Sequence, residues 1–85
     1  MRHRTDHNQN EIVKALEQIG CTVYKIGRPL DLLVGYRQRC YILEAKSKTG
    51  KKTPFQEKFF KEWKGQRDIV RTAEEAIAVV CREST

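Results

Sequence analysis

The sequence predicts one α/β domain over residues 1–85, with its elements in the order helix, strand, strand, strand, helix, strand, helix. Three observations predict it. Residues 8–19, 53–64 and 72–80 repeat apolar side chains at helical spacing. Residues 21–26 are a short run rich in β-branched and aromatic side chains, and residues 68–71 are short enough for a last strand. Between them, residues 31–46 (DLLVGYRQRCYILEAK) read as a β-hairpin with an acid on one strand and an acid and a lysine on the other. A chain of this length supports one modest core and not two.

The first six residues contain Arg2, His3 and Arg4 without apolar anchors and read as a tail, with phosphate contact as the one role open to them. From Asn8, the spacing of Ile12, Val13, Leu16 and Ile19 predicts an amphipathic helix that Gly20 ends. Glu11 flanks the apolar stripe. It fits a capping box with Asn8 as the cap, and it equally fits a third carboxylate facing a site. The first strand follows at residues 21–26, and Gly27, Arg28 and Pro29 break it. Arg28 then stands near the mouth of the hairpin, as a phosphate contact or as an ordinary loop arginine.

In the hairpin, Asp31 heads the apolar run Leu32, Leu33 and Val34, and residues 35–39 supply a short polar connection. Side chains alternate along the return strand, so Glu44 and Lys46 emerge on one face while Leu43 and Ala45 point to the other. Asp31 is expected across from Glu44. Residues 46–52 then bring four lysines, Lys46, Lys48, Lys51 and Lys52, into a glycine-containing loop suited to contacts with a phosphate backbone.

Thr53, Pro54 and Gln56 open the second helix as cap, first-turn proline and capping-box partner. Gln56 has an alternative job, reaching the attacking water or a phosphate. Phe55, Phe59, Phe60 and Trp63 recur at helical spacing and are expected in the core rather than as a base-stacking platform. Lys58, Lys61 and Lys64 extend the basic surface, and Gly65 closes the helix. A last strand at residues 68–71, a second capping box from Thr72 to Glu75, and a helix with Ala76, Ile77 and Val80 inward complete the fold, with residues 82–85 frayed.

The net charge of +6, from 17 Lys and Arg, points to a polyanionic partner. Nucleic acid is favoured over lipid because no basic helix carries a strong apolar face. No apolar run approaches a membrane span or a signal-peptide core, so a cytoplasmic location is expected. Cys21, Cys40 and Cys81 are odd in number, widely spaced and set in apolar runs, which predicts buried reduced thiols and no disulfides. His3 and His7 precede the periodic pattern and read as tail residues.

Two converging carboxylates repel unless a cation lies between them, and hard oxygen ligands suit magnesium or manganese. Asp31, Glu44 and Lys46 are therefore the trio that metal-assisted phosphodiester hydrolysis needs, although Glu-x-Lys by itself is also common on solvated strands.

The element order, with Asp31 in PLDLLVG, Glu44 and Lys46 in ILEAK, Gln56 in TPFQEKFF and Glu11 on the first helix, resembles the PD-(D/E)XK nuclease superfamily. Within it the chain looks most like the VRR-NUC (virus-type replication-repair nuclease) family, especially its short stand-alone phage and bacterial members. The resemblance implies the minimal restriction-endonuclease-like core, a mixed sheet flanked by helices. It implies that Glu11, Asp31 and Glu44 bind Mg2+ or Mn2+, that Lys46 assists the attacking water, and that Glu11 and Gln56 complete the catalytic site. The DNA contacts expected beside that site are Arg28, Lys48, Lys51, Lys52 and Lys58. The implied activity is that of a Holliday junction resolvase acting as a homodimer on branched DNA, in a bacterial cell or a phage-infected host. A symmetric dimer supplies the two cuts that a two-fold junction needs, and a swapped dimer is compatible with so small a core. One departure is visible: Pro29 stands two residues before Asp31 rather than next to it. A non-catalytic nucleic-acid-binding module is the alternative from another class. A restriction-like or nicking enzyme is the alternative within the same class, though no added segment reads base edges.

Overall fold

The computed structural model describes residues 7–82. The elements are α1 (His7–Gln18), β1 (Thr22–Lys25), β2 (Leu32–Tyr36), β3 (Arg39–Ala45), α2 (Pro54–Glu62), β4 (Asp68–Val70) and α3 (Ala73–Val80). The expected order is present in full. The tail residues Arg2, His3 and Arg4, and residues 83–85 of the expected frayed end, lie outside the described residues. His7, expected in the tail, opens α1.

The four strands form one sheet in the order β1-β2-β3-β4. The first three are antiparallel neighbours, and β4 runs parallel to β3 after the crossover through α2. The register pairs Leu32 with Leu43 and Val34 with Tyr41 on one face, and Leu33 with Ile42 on the other. On the first face Leu32, Val34, Tyr41, Leu43, Ala45 and Val70 are buried under α1 and α3. Ile12 and Leu16, one turn apart on α1, are fully buried there with Ala76 and Val80 of α3. The Tyr41 hydroxyl donates to the Val80 carbonyl at 3.3 Å, so this buried ring keeps a polar partner.

Gly20 takes φ +105° after α1. Its N–H donates to the Glu17 carbonyl at 3.0 Å and that of Cys21 to the Leu16 carbonyl at 3.0 Å, a Schellman end that requires a left-handed residue. The hairpin connection is tighter than residues 35–39. Gly35, Tyr36 and Arg39 belong to strands, and the turn is Arg37 and Gln38 alone, at φ 52° and 66°. A two-residue turn with both φ positive matches strand twist and is normally written with Asn or Gly, so Arg-Gln gave no signal for it. The box at α3 is also displaced: the Thr72 hydroxyl accepts from Glu75 N at 3.0 Å, but the Glu75 carboxylate accepts from Arg71 N at 2.7 Å, one residue upstream.

Two expectations about burial fail. Cys21 is buried, whereas Cys40 and Cys81 are exposed, and all three thiols are free. Cys40 alternates away from buried Tyr41, and Cys81 is the residue that ends α3, so their apolar neighbours do not carry them inward. The aromatic residues of α2 are not core either. No α2 residue is buried, and Phe55 and Trp63 are 45% and 44% exposed. The apolar face of the sheet is already closed by α1 and α3, and α2 reaches the other face through Gln56, which bonds Glu44. Among the described residues no helix is long and apolar enough to cross a membrane.

Candidate active site

The site is built at one end of the β2–β3 pair. Because Leu32 pairs with Leu43, the next position outward sets Asp31 across from Glu44, as the alternation of side chains requires. Asp31 N donates to Glu44 Oε1 at 3.2 Å, and Asp31 Oδ2 accepts from Ala45 N at 3.2 Å. Each residue therefore fixes the other's strand. Two residues after Glu44, just past the end of β3, Lys46 places Nζ 3.4 Å from Glu44 Oε2. Glu44 is the one buried charged residue among those described, at 3% exposed.

Gln56 is attached at both ends of its amide. Its Oε1 accepts from Thr53 N at 3.1 Å and its backbone N–H donates to Thr53 Oγ1 at 3.2 Å, which closes the capping box of α2. Its Nε2 donates to Glu44 Oε2 at 2.7 Å. The cap and the site contact, set out above as alternatives, are one arrangement. It is also what ties the first turn of α2 to the sheet.

Burial drives the Glu44 carboxyl above the ordinary glutamate range, and the charge of Asp31 pushes it further the same way. The Gln56 amide and the Lys46 ammonium draw it back. A buried carboxylate with a second acid beside it is short of positive charge. Two carboxylates are also the usual protein share of a magnesium site, which leaves the remaining positions to water and substrate phosphate. Asp31 and Glu44 thus fit a hard divalent cation by donor chemistry.

Glu11 does not join them. It is exposed on α1, and no three acids, histidines or cysteines among the described residues are grouped to hold a metal. The first turn of α1 nevertheless reaches the site end of β3 through Asn8. This residue lies inside the helix rather than capping it, and its Nδ2 donates to the Lys46 carbonyl at 2.5 Å. Glu11 stands one turn further along the same side of α1.

Sequence reasoning missed Asn8, and it missed Arg71. The Arg71 guanidinium donates through Nη1 to the carbonyls of Ser47, Gly50 and Lys48 at 2.5, 2.9 and 3.3 Å, and so shapes the lysine loop. No local motif announces either residue, since both bonds join segments more than twenty residues apart. Of the expected DNA contacts, Lys48, Lys51 and Lys52 are exposed in or beside that loop. Lys52 Nζ stands 4.6 Å from the centre of the Phe60 ring and the Arg28 guanidinium 4.7 Å from that of Phe55, while Lys58 is exposed 3.9 Å from Glu62. Arg28 therefore leans on α2.

A solved structure described as a VRR_NUC domain superposes on this chain with a TM-score of 0.66, covering 89% of this chain and 92% of that one. The chain has the VRR_NUC fold. Sequence identity over the match is 22%, so the likeness is one of architecture. No protein-family model and no curated protein matches the sequence. The three helices and the mixed four-stranded sheet form the core of that fold, and Asp31, Glu44, Lys46 and Gln56 meet at one end of it.

Proposed function

We propose that this chain is a divalent-metal-dependent, structure-specific DNA endonuclease of the VRR-NUC family, a resolvase of four-way junctions that acts as a homodimer. The observation that carries this reading is the convergence of Asp31, Lys46 and Gln56 on the buried carboxylate of Glu44. Magnesium or manganese held by Asp31 and Glu44 would polarise the scissile phosphate and lower the pKa of an attacking water.

The protein's own groups divide the rest of the work. Glu44 is held in one rotamer by Asp31 N and Gln56 Nε2, so the ligand geometry is set before substrate arrives. Lys46 carries an ammonium beside that carboxylate, where it orients water and offsets charge building on the phosphate oxygens. Lys48, Lys51 and Lys52 neutralise backbone phosphates next to the reacting one, which fixes the strand without reading its sequence. Glu11, one turn from Asn8, is the residue proposed to approach as a third carboxylate when metal and DNA are bound.

The exposure of Glu11 supports a second reading, a DNA-binding module that keeps the fold without the chemistry. Cleavage of a labelled four-way junction beside linear duplex of matching sequence separates the two, run with magnesium, manganese or chelator. Metal-dependent cutting of the junction alone, lost in Glu44→Ala and Asp31→Ala, is the expected result. Equal cutting of both DNAs would retain the nuclease and discard the resolvase. Salt-sensitive binding without product at any metal concentration would leave the module.

A further inference from the structure

Helix α2 is the one helix with no buried residue, yet it carries three aromatic rings and a fourth, Trp63, at its C-cap. Phe55, Phe59 and Trp63 recur every fourth residue and form a stripe along one side of it. Their disposition is ordered. The Trp63 indole lies against the Phe59 ring with centroids 5.2 Å apart and planes at 22°, and its Nε1–H donates to the Gln66 carbonyl at 3.0 Å. Gly65 leaves the room that this pose requires, because a Cβ there would stand 2.7 Å from Nε1. An indole held by a ring, a hydrogen bond and a glycine, with nearly half its surface open, is prepared for contact on that open surface. At the other end of the stripe, exposed Phe55 has the Arg28 guanidinium 4.7 Å from its ring centre.

The charge around the stripe decides what that contact is. Residues 51–67 carry Lys51, Lys52, Lys58, Lys61, Lys64 and Arg67 against two acids, Glu57 and Glu62. A second copy of the chain docking through this helix across a two-fold axis would bring these cations against themselves. A polyanion is attracted by all of them. The Phe59 and Trp63 ring centres, 5.2 Å apart, are spaced beyond the roughly 3.4 Å rise of stacked bases in duplex DNA. The stripe therefore suits bases that have left the stack. Base–aromatic stacking beside a cationic track is the general means of holding single strands without sequence preference.

We propose that α2 is a docking surface for single-stranded DNA, in which unpaired bases stack on Phe55 and Trp63 while the lysines of residues 51–64 follow the phosphates. The proposal deepens the nuclease reading and rests on it for the choice of DNA. Gln56, on the first turn of the same helix, bonds Glu44, so a strand held on α2 leads directly to the candidate site. Selection for structure would then come from bases unpaired at an opened branch point or in a flap rather than from duplex shape alone.

Trp63 is the sole tryptophan, which makes the contact directly observable. The full chain, in chelator so that no cleavage occurs, is titrated with a short oligothymidylate, with an abasic strand of the same phosphate count, and with duplex. Saturable quenching of tryptophan emission by oligothymidylate alone is expected. Phe55→Leu and Trp63→Leu, followed by anisotropy of a labelled strand, are each expected to weaken oligothymidylate binding about tenfold and leave abasic binding unchanged. Phe55 is exposed and outside the core, so its variant carries the test if Trp63→Leu does not fold. Equal affinity for the abasic strand would overturn the proposal, as would unchanged affinity in folded Phe55→Leu. Emission that follows protein concentration without DNA would overturn it in favour of self-association. Metal-dependent cleavage without quenching would remove this proposal and keep the nuclease, whereas quenching without cleavage in metal would do the reverse.

Discussion

Gln56 Nε2 donates to Glu44 Oε2 at 2.7 Å while the other end of the same amide accepts from Thr53 N, so one side chain caps α2 and fastens it to the buried acid. Substituting Gln56 by alanine removes both bonds and is expected to cost about 1–2 kcal/mol of stability. Gln56→Glu keeps the acceptor for Thr53 N but turns a carboxylate oxygen toward Glu44. It should be the less stable of the two variants in chelator, and should recover more on adding magnesium or manganese. Thermal melts with and without metal check this, and Gln56→Glu melting above Gln56→Ala in chelator would show that the Glu44 contact contributes little.

Lys46 lies 3.4 Å from Glu44 Oε2 and is placed to act on charge that develops only during reaction. Lys46→Ala is expected to lower the single-turnover cleavage rate about 100- to 1,000-fold with little change in junction affinity measured in chelator. A loss of affinity at unchanged rate would make it a binding residue instead.

Glu44 also sets a pH dependence. Its folded pKa is raised, by burial first and Asp31 second, so the folded state holds this proton more tightly than the unfolded chain does. Stability from this group is present below the unfolded value of about 4.3 and is lost as pH rises through the folded value. In chelator, the stability of the wild type relative to Glu44→Gln should therefore fall as pH is raised from about 4.3, and level off once Glu44 is ionised. Denaturant melts across that range measure it, and a difference that rises with pH would reverse the assignment. A divalent cation bound to the ionised carboxylate should restore wild-type stability at neutral pH and leave Glu44→Gln unmoved.

How much of this was legible follows from the range of the signals involved. Apolar periodicity, Gly20 and the Thr53 and Thr72 caps are local, and they located all three helices within a few residues. The alternation in residues 41–46 put Glu44 and Lys46 on one face because a strand's geometry leaves no other choice. The two-residue turn was hidden because Arg37 and Gln38 are not turn residues by preference. Burial of the α2 aromatics was misjudged for a different reason. Helical spacing shows which side chains share a face, but not whether an apolar surface lies opposite them, and here the sheet's apolar face is already covered by α1 and α3. Asn8 and Arg71 act through backbone carbonyls of distant segments, and a carbonyl has no sequence signature.

Arg71 supplies a test of the lysine loop that alters none of its lysines. Its guanidinium reaches three carbonyls of residues 47–50, which a lysine's compact ammonium would not span in the same way. Arg71→Lys is expected to weaken binding of DNA in chelator about tenfold, the scale of ordering one loop residue, with the salt slope unchanged. Lys51→Ala should instead reduce that slope by about one, because one phosphate contact is lost. Affinity unchanged in Arg71→Lys would mean that the loop binds equally well unshaped.

Gly65 is the remaining position where a small change reads a large feature. It does not end α2 through a left-handed turn. The cap is Trp63, in an extended conformation, and Gly65 serves by lying under the indole. In Gly65→Ala the new methyl would lie 2.7–3.0 Å from Nε1, Cε2 and Cζ2, closer than carbon atoms pack, so the ring must swing off Phe59 and release the Gln66 carbonyl. A loss of about 1–3 kcal/mol is expected, toward the lower end because the ring is half open to solvent. Tryptophan emission should shift to the red at the same time, with far-UV dichroism retained. Because the core beneath α1 and α3 is untouched, an unchanged emission maximum would mean that the indole was not held in this pose, and the aromatic stripe of α2 would lose its ordered end.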